Sequence, residues 1–500
     1  MKKISIILII AMIMTFAFTG CGSQQGDSEE VKDTVILSEN QSFISADPHG
    51  TNAATDRDVY YQVYEPLVYV GGDGVEQFKL AESYKVSEDG MEYTFKLREG
   101  VTFHNGDALT AEDVVYSYER AIASSYLYSY TYMIADVEAV DETTVKVTLQ
   151  FPYAPFIQAS SWIVVVNKNF FEDSANDTSA VSCGTGPYMI ESFNPMEEVS
   201  IVRYDNYWQD AAQVRRVVWK VITEVSTQVM SLQSGEINLL RVPYSSWKSA
   251  TSDGAFGTTS IDTAHVTFVT MNSQVAPFDN KLVRQAISYA INRENVVNMA
   301  TDGIATPAQF IMNPESVAFA SEAGTKYEFD TEKAKALLTE AGYADGVDIG
   351  IIATLGGVYE KVAQVIQSNL ADVGITAQVQ VYESSSYITD VFGGNYGIGV
   401  FGGDVGNDAD YYSILYLSSM IDMGNICRCN VPELDTLLTQ ASGTADATER
   451  QSLYDQANEI ITDEAFYVPL YFGVDTYAYD QDLNFVGGTP RIFAYDWSWK

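Results

Sequence analysis

Apolar and polar positions follow two different periods along this chain, and together they predict strands interleaved with helices. The segment over residues 80–121 shows both periods in succession. Its first half alternates apolar with polar side chains, as a strand with one buried face requires. The apolar positions are Tyr93, Phe95 and Leu97. Turn-forming residues flank this strand at residues 87–90 and 104–107, so the pattern predicts a turn, a strand and a second turn.

The second half of the segment has the pattern of a capped helix. Thr110 stands at the N-cap position, and Asp113 three residues later completes a capping arrangement. Apolar residues then recur on one helical face, at Val114, Tyr118 and Ala121. The segment as a whole is therefore typical of an α/β domain.

The same two periods return along the rest of the chain, which predicts an α/β fold class. Strands are predicted over residues 143–149, 216–222 and 375–381, and helices over residues 278–293, 330–341 and 359–373. We expect Asp279 to cap the first of these helices, and Gly342 and Gly374 to end the other two.

The N-terminal residues have the pattern of a processing segment rather than of a folded element. Two lysines precede an almost unbroken apolar run over residues 4–18. Phe18-Thr19-Gly20-Cys21 then resembles a bacterial lipobox, which implies a signal peptide over residues 1–20 and lipidation of Cys21. The alternative, a transmembrane anchor, needs about 20 apolar residues, and this run is shorter. Residues 21–33 are predicted as the lipidated cysteine and a polar, flexible tether.

The net charge of the chain narrows the kinds of partner that the protein can bind. The formal net charge of −39 over 500 residues is spread along the chain and argues against nucleic acids and anionic lipids as partners.

The chain has three cysteines besides Cys21, at Cys183, Cys427 and Cys429. A local disulfide, a long-range pair with Cys183 and buried thiols all stay open for them. Only 3 histidines are present, and the cysteine spacing is too short for a zinc pair, so we predict neither a metal site nor a cofactor.

Several motifs in the body of the chain resemble those of one family. They are residues 80–121, Gly184-Thr-Gly-Pro-Tyr188, Tyr204-Asp-Asn-Tyr-Trp208, Phe268-Val-Thr-Met-Asn272, residues 283–293, residues 333–342 and residues 464–471. In this order they resemble the extracellular solute-binding proteins of peptide ABC importers, the dipeptide/oligopeptide-binding family or family 5. The resemblance implies a large α/β fold of the periplasmic-binding-protein type, class II-like, with two lobes around a cleft.

The resemblance also implies how the two lobes divide the chain. The first lobe is discontinuous and holds residues 34–265 and 480–500, and the second lobe holds residues 266–479. The chain is expected to cross between the lobes near residues 265–268 and 477–480, and these crossings would form a hinge.

The segment over residues 401–412 is the main candidate for ligand recognition. Peptide-binding members carry a similar loop with a tryptophan and an aspartate, and that aspartate takes the α-ammonium group of the peptide. Asp404 matches the aspartate, Phe401 stands at the tryptophan position, and Gly403 lies between them. A carboxylate in a closing cleft suits an ammonium group, because a charge-assisted hydrogen bond strengthens there.

The later carboxylates of this segment have a simpler interpretation. We expect Asp408 or Asp410 to cap the helix that follows. A calcium loop is the other alternative, but Gly406 and Ala409 disturb the ligand spacing and no glutamate closes the loop.

A second candidate contact lies in the predicted first lobe. Residues 46–52 resemble the loop that runs along the cleft in this family, which makes Thr51 and Asn52 candidate ligand contacts. Dipeptide binders also hold the ligand carboxylate with an arginine, and the corresponding residues 353–359 contain none. A longer peptide or an amine without a carboxylate is therefore easier to reconcile than a free dipeptide.

The resemblance predicts a monomeric lipoprotein on the outer face of the cell membrane. It would capture extracellular peptides and deliver them to ABC permease subunits, touching the membrane through its lipid anchor only. The same fold could instead bind another small solute, such as an oligosaccharide, an amine or a metal chelate. A secreted hydrolase is the rival class, but the sequence has no G-x-S-x-G, H-E-x-x-H or P-loop motif, so we predict that the protein is not an enzyme.

Overall fold

A computed structural model describes residues 32–72, 74–252, 254–320, 322–488 and 491–500. The predicted signal peptide, Cys21 and most of the tether lie outside the described residues. Within the described ranges, none of the helices has both the length and the apolar character needed to cross a bilayer.

Strands and helices alternate through residues 33–500, which form one compact unit. The strands are β1 (Thr34–Glu39), β2 (Val68–Val70), β3 (Glu76–Phe78), β4 (Ala81–Val86), β5 (Glu92–Leu97), β6 (Ile134–Asp141), β7 (Thr144–Leu149), β8 (Tyr188–Asn194), β9 (Glu198–Arg203), β10 (Arg216–Val221), β11 (Leu239–Arg241), β12 (Gly257–Met271), β13 (Thr306–Pro307), β14 (Val347–Thr354), β15 (Ile375–Val381), β16 (Ile398–Asp404), β17 (Tyr467–Tyr479), β18 (Leu483–Asn484) and β19 (Ser498–Trp499).

The helices cover the sheets and connect the strands. They are α1 (Ala54–Val63), α2 (Ala111–Ala123), α3 (Tyr128–Thr131), α4 (Phe156–Ser160), α5 (Lys168–Glu172), α6 (Val225–Gln233), α7 (Tyr244–Thr251), α8 (Lys281–Ala290), α9 (Arg293–Ala300), α10 (Thr331–Glu340), α11 (Val358–Ala371), α12 (Ser384–Phe392), α13 (Tyr411–Tyr416), α14 (Pro432–Gly443) and α15 (Ala447–Glu464), with 3₁₀ turns at Ser418–Met420 and Ala494–Asp496.

The largest sheet runs through both halves of the molecule. Its strand order is β15-β14-β16-β12-β17-β11-β1-β10-β9-β8. The two long central strands, β12 and β17, are antiparallel and join the two ends of the sheet. β17 is buried along nearly its whole length, and its almost continuous run of apolar residues fits a strand that is covered on both faces.

The apolar cores group the chain in the same way as the strand order. One core joins β1 and β10 with residues near the C-terminus, among them Ile492 and Trp497. A second packs on the separate sheet β4-β5-β7-β6. Two further cores draw their fully buried residues from positions between Val266 and Phe472. The pairing of β17 with β12 shifts register between Phe472 and Val474.

Most of the predicted elements are confirmed where the local pattern was strong. The turn-strand-turn-helix segment is present as β5 and α2, and the Thr110 N–H donates to the Asp113 carboxylate at 3.0 Å. Asp330 caps α10, and Gly342 and Gly374 follow α10 and α11 at φ values of 92° and 88°. Such positive φ values favour glycine and end a helix.

The helix predicted over residues 278–293 is shorter than expected and is capped by a different residue. α8 begins after Asn280, whose side chain accepts from the Leu282 N–H at 2.9 Å, so Asp279 is not the cap. The carbonyls of Phe278 and Asp279 instead accept from the Arg284 side chain, which holds the preceding turn outside the helix. The chain turns again after Ala290, and Asn292 caps the separate helix α9.

The structure decides between a disulfide and buried thiols for the three cysteines of the body. Cys183, Cys427 and Cys429 are all free thiols, and all three are buried.

Candidate functional site

The predicted ligand aspartate lies at the end of β16, directly opposite His265 of β12. Nδ1 of His265 is 3.2 Å from a carboxylate oxygen of Asp404, and Nε2 is 3.1 Å from the hydroxyl of Tyr359. The Asp404 side chain is 74% exposed, so its carboxylate keeps free acceptor positions. His265 therefore orients a carboxylate that can still accept hydrogen bonds from a bound molecule.

An interruption in the sheet places His265 at this point. The pairing of β12 with β17 shifts register between Asp262 and Val266. The Thr263 hydroxyl donates to the Gly473 carbonyl at 2.9 Å and holds the irregular segment against β17. Such bulges re-aim side chains and are frequent beside functional sites.

Two glycines before Asp404 have different roles. A Cβ atom on Gly402 would lie 2.6 Å from the Tyr359 hydroxyl and 2.8 Å from Nε2 of His265, so the pair needs a glycine there. A Cβ atom on Gly403 would meet nothing within 4 Å. Gly403 therefore borders open space next to the exposed carboxylate.

Phe401 supports the strand from the apolar side. Its ring packs against the rings of Phe268, Tyr387 and Phe392 at centroid distances of 5.8, 6.1 and 6.2 Å. The structure thus places this predicted contact in a ring cluster that braces β16.

Charges from the N-terminal half act on the same carboxylate. The hydrogen bond from His265 is the main reason that the pKa of Asp404 lies below its usual range, and the positive charges of Arg57 and Arg241 lower it further. Arg57 lies on α1 and Arg241 ends β11. The side chains of the two predicted lobes therefore share one electrostatic environment around Asp404.

Further acidic groups stand next to Arg241. Its Nε donates to the Asp475 carboxylate at 3.0 Å. Burial, together with the nearby charge of Asp58, raises the pKa of Glu39 to about 8. Burial also raises the pKa of Asp58 to about 6. Arginines and carboxylates thus stand together next to Asp404, an arrangement suited to a ligand that carries both charges.

An aromatic wall borders the same space. The Tyr130 ring stacks on Trp162 at 5.1 Å, and the Arg57 guanidinium lies 5.5 Å from the Trp162 ring centroid. Burial raises the pKa of Tyr130 to about 12, and the charge of Asp404 contributes to this rise. Rings of this kind give a binding site apolar contact area at small entropic cost.

Of the two candidate ligand contacts in the predicted first lobe, Thr51 and Asn52, one is connected to this site. Thr51 is buried, and its hydroxyl donates to the Asp56 carboxylate at 2.7 Å. Asn52 is exposed, and its side-chain oxygen accepts from Arg57 at 3.0 Å. The structure thus links Asn52 to the cleft through Arg57 and gives Thr51 an internal partner.

The later aspartates of the segment do not act as side-chain caps. Asp408 is buried against Arg450, with nitrogen–oxygen distances of 3.0 and 2.5 Å. Asp410 stands at the N-cap position of α13, but its carboxylate accepts from the hydroxyls of Tyr454 and Ser442 rather than from a backbone N–H of the helix. The capping prediction was therefore wrong: buried side-chain donors occupy both carboxylates, and the backbone N–H that Asp408 also accepts from, that of Asp410, precedes the helix. No cluster of three or more metal-ligating side chains occurs within the described ranges.

Hydrogen bonds join the two rims of the cleft close to Asp404. The side-chain amide of Asn407 donates to the Gly71 carbonyl at 2.7 Å, and its oxygen accepts from Gln158. Nearby, the Ala154 N–H donates to the Ser442 carbonyl at 2.9 Å. These contacts connect the N-terminal half to the segment that follows β16.

The sequence predicted a ligand contact at Asp404, and it did not predict that His265, Arg57 and Arg241 act on that carboxylate or that Glu39 stands near Arg241. A signal was present at two of these positions. Glu39 and Arg241 are charged residues at the ends of buried strands, and strand ends are where α/β sheets place binding groups.

The fold and the cleft define a class of two-lobed binding proteins, and comparisons identify the family. Residues 77–423 match the model of the bacterial extracellular solute-binding proteins, family 5 Middle. The chain belongs to this family. Its members are extracellular or periplasmic binding proteins of ABC importers, and the chain has their two-lobed fold.

Relatives whose names give different ligands are similar to this protein over most of its length. The glutathione-binding protein GsiB of Escherichia coli (strain K12) is 31% identical over 454 residues, which cover 87% of this chain and 88% of the relative. The heme-binding protein A of Haemophilus influenzae is 29% identical over 471 residues, with 87% and 84% covered. The structure of DppA from Helicobacter pylori in complex with the peptide STSA matches with a TM-score of 0.76 at 26% identity, covering 93% of this chain and 98% of that one.

Proposed function

We propose that this protein captures an amine-bearing peptide or peptide-like solute outside the cell and delivers it to an ABC permease. The exposed carboxylate of Asp404, oriented by His265 in a cleft between two halves of the chain, supports this proposal most directly. An ammonium group placed there would gain a charge-assisted hydrogen bond, and closure around it would strengthen that bond by excluding water.

The names of the relatives favour a peptide-like solute. Glutathione is a peptide with both an ammonium group and carboxylates, and the DppA structure holds a tetrapeptide. The arginines of the cleft could meet the carboxylate of such a ligand, although residues 353–359 supply none. A non-peptide solute, such as an oligosaccharide, an amine or a metal chelate, is the alternative. The name of the heme-binding relative favours this alternative.

Mass spectrometry of the solute released from freshly purified, denatured protein tests the proposal. We expect an amine-bearing peptide or conjugate in stoichiometric amount, unaltered by incubation with the protein because we infer binding without turnover. Sugars alone, heme or hydrolysed products would contradict it.

A substitution pair tests the proposed role of Asp404 for that solute. Asp404→Ala should weaken binding by about 100-fold, since an ammonium group would lose its charged partner. Asp345→Ala is the matched control, because Asp345 is exposed and lies before β14, at the strand end opposite to the cleft. Equal affinities of the two variants would remove Asp404 from the site.

Membrane attachment through Cys21 is part of the same proposal. We infer that residues 1–20 are removed and that a monomer is held at the outer face of the membrane by lipid alone. Cys21→Ser should release the protein from the membrane fraction into the medium or periplasm, while a variant such as Ser23→Ala should stay attached. Retention of the Cys21→Ser variant would contradict lipid anchoring.

A further inference from the structure

A cavity of about 410 Å³ lies in the N-terminal half. This volume falls within the range of pockets that bind small molecules. Its lining combines aromatic rings with two cationic and two acidic side chains. The main lining residues are Tyr61, Tyr69, Lys79, Tyr207, Arg491 and Phe493.

Arg491 is the unusual member of this lining. It is only 5% exposed, and its guanidinium carbon lies 3.4 Å from the centroid of the Tyr61 ring and 4.5 Å from that of Trp162. One nitrogen, Nη2, donates to the Ser161 carbonyl at 3.1 Å. Nε and Nη1 are buried and have no hydrogen-bond partner among the described residues.

The charge of Arg491 is likewise left without a carboxylate. Within the described part of the chain, no acidic side chain lies within ion-pair distance of it. Glu65 lines the same cavity, but its oxygens accept from Tyr207 at 2.7 Å, Trp208 at 2.9 Å and Thr185 at 2.9 Å. Glu65 is thus engaged with other donors. Asp496 also lines the cavity, and burial raises the pKa of its carboxyl.

Buried donors of this kind normally have acceptors, and a buried charge is normally paired. The rings around Arg491 stabilise its charge from the faces without using its N–H groups. The hydroxyl of Tyr61, whose ring packs on the guanidinium, is also buried without a partner in the described chain, and Tyr61 lines the cavity. The free donors of Arg491 therefore lie beside a cavity in which an anionic acceptor would satisfy them.

We propose that this cavity binds a carboxylate group, with Arg491 as its charged partner and the surrounding rings as an apolar wall. A carboxylate supplies acceptors to several donors at once and neutralises the guanidinium charge. The Trp162 ring contacts both Arg491, which lines the cavity, and Arg57, whose charge acts on Asp404, so one ring connects the two sites. The carboxylate would belong to the solute of the proposed function, on which this part of the inference rests, or to a separate small acid.

Paired acids and amides test the carboxylate site without knowledge of the natural solute. Titration calorimetry compares benzoate with benzamide, N-acetyltyrosine with its amide, and the peptide Ser-Thr-Ser-Ala with its C-terminal amide, after removal of any co-purified solute. We expect at least one acid to bind 10-fold or more tightly than its amide. Equal binding of every pair, or no binding of any acid, would overturn the proposal.

Substitutions then assign the preference to Arg491. Arg491→Gln should abolish the preference for the acid, whereas Arg491→Lys should keep part of it. Arg215→Gln is the matched control, because the Arg215 side chain is 65% exposed and its partner Asp33 precedes β1. If Arg491→Gln fails to fold, Tyr61→Phe removes one of the unpartnered donors and should lower the preference several-fold. A preference that survives these changes would overturn the assignment.

The two proposals fail in different ways. An unchanged affinity of Asp404→Ala for amine-bearing solutes would remove the proposed amine site and leave the acid preference as measured. A preference for the peptide acid but not for benzoate would identify the solute's own terminus as the occupant. The reverse would identify a separate small acid.

Discussion

Asp404 and Asp408 lie in the same short segment, yet the fold gives them opposite environments. Asp404 is largely exposed and is held by one histidine, so its carboxylate keeps free acceptor positions. Asp408 is buried and fully engaged with Arg450. The contrast shows that residue type and position in a motif do not decide which carboxylate is available to a ligand. The hydrogen bonds that the fold already supplies decide it.

The largest effect is expected from removing the buried partner. Asp408→Ala leaves the Arg450 charge buried without its carboxylate, which should lower the free energy of unfolding by about 3–5 kcal/mol. Asp404→Ala should change it by no more than about 0.5 kcal/mol, because its side chain is exposed. Urea unfolding of both variants measures the difference. Equal losses of stability would contradict the difference in environment between the two aspartates.

Gly402 and Gly403 allow a second comparison, between a crowded position and an open one. Gly402→Ala would force its Cβ against Tyr359 and His265 and should destabilise the protein by about 1–3 kcal/mol while weakening solute binding. Gly403→Ala adds a methyl group to open space and should leave stability unchanged. If the solute fills that space, Gly403→Ala lowers affinity alone. Calorimetry and thermal unfolding of both variants separate these outcomes, and a stable Gly402→Ala variant with normal binding would contradict the positioning of His265.

A smaller effect is expected at the rim of the cleft. Asn407→Ala removes the hydrogen bonds to Gly71 and Gln158 that join the two halves. If these contacts favour the closed state, affinity should fall by roughly 5-fold to 10-fold, corresponding to about 1 kcal/mol, with little change in stability. Faster dissociation in a stopped-flow experiment is the expected signature. An unchanged dissociation rate would show that the contacts do not contribute to closure.

The pH dependence of stability tests the raised pKa values of two carboxyls in the N-terminal half. The pKa values of Glu39, about 8, and Asp58, about 6, lie above the usual carboxyl range, so the folded state binds more protons than the unfolded state at intermediate pH. Stability from this source is complete below the unfolded pKa and is lost as pH rises through the folded values. The melting temperature of the solute-free protein should therefore fall as pH rises from about 5 to about 9. Glu39→Gln should flatten the upper part of the curve, and an unaltered slope would contradict the assignment.

Local sequence patterns predicted the elements better than they predicted the site. β5 and α2 follow from alternation and a capping box, which depend on residues close together in the chain. His265, Arg241 and Glu39 reach the cleft only because β12, β17, β11 and β1 are neighbours in one sheet. A register shift then places His265 opposite Asp404. No local pattern contains that information.

The wrong capping prediction has the same origin. An aspartate before a helix is a reasonable cap on sequence grounds. Asp408 and Asp410 are occupied instead by Arg450 and Tyr454, which come from α15 and are distant in sequence. Long-range donors therefore take the place of the helix N–H groups, although the Asp410 N–H, which precedes the helix, still donates to Asp408.

We propose above all that Asp404 binds the ammonium group of the solute. A double cycle tests it most directly, with calorimetry of the wild-type protein and Asp404→Asn against the co-purified solute and its N-acetylated form. Each single change should weaken binding by about 100-fold, and the two together should weaken it little more, with a coupling of about 2 kcal/mol or greater. Additive effects, or full affinity of the Asp404→Asn variant for the free amine, would contradict the account.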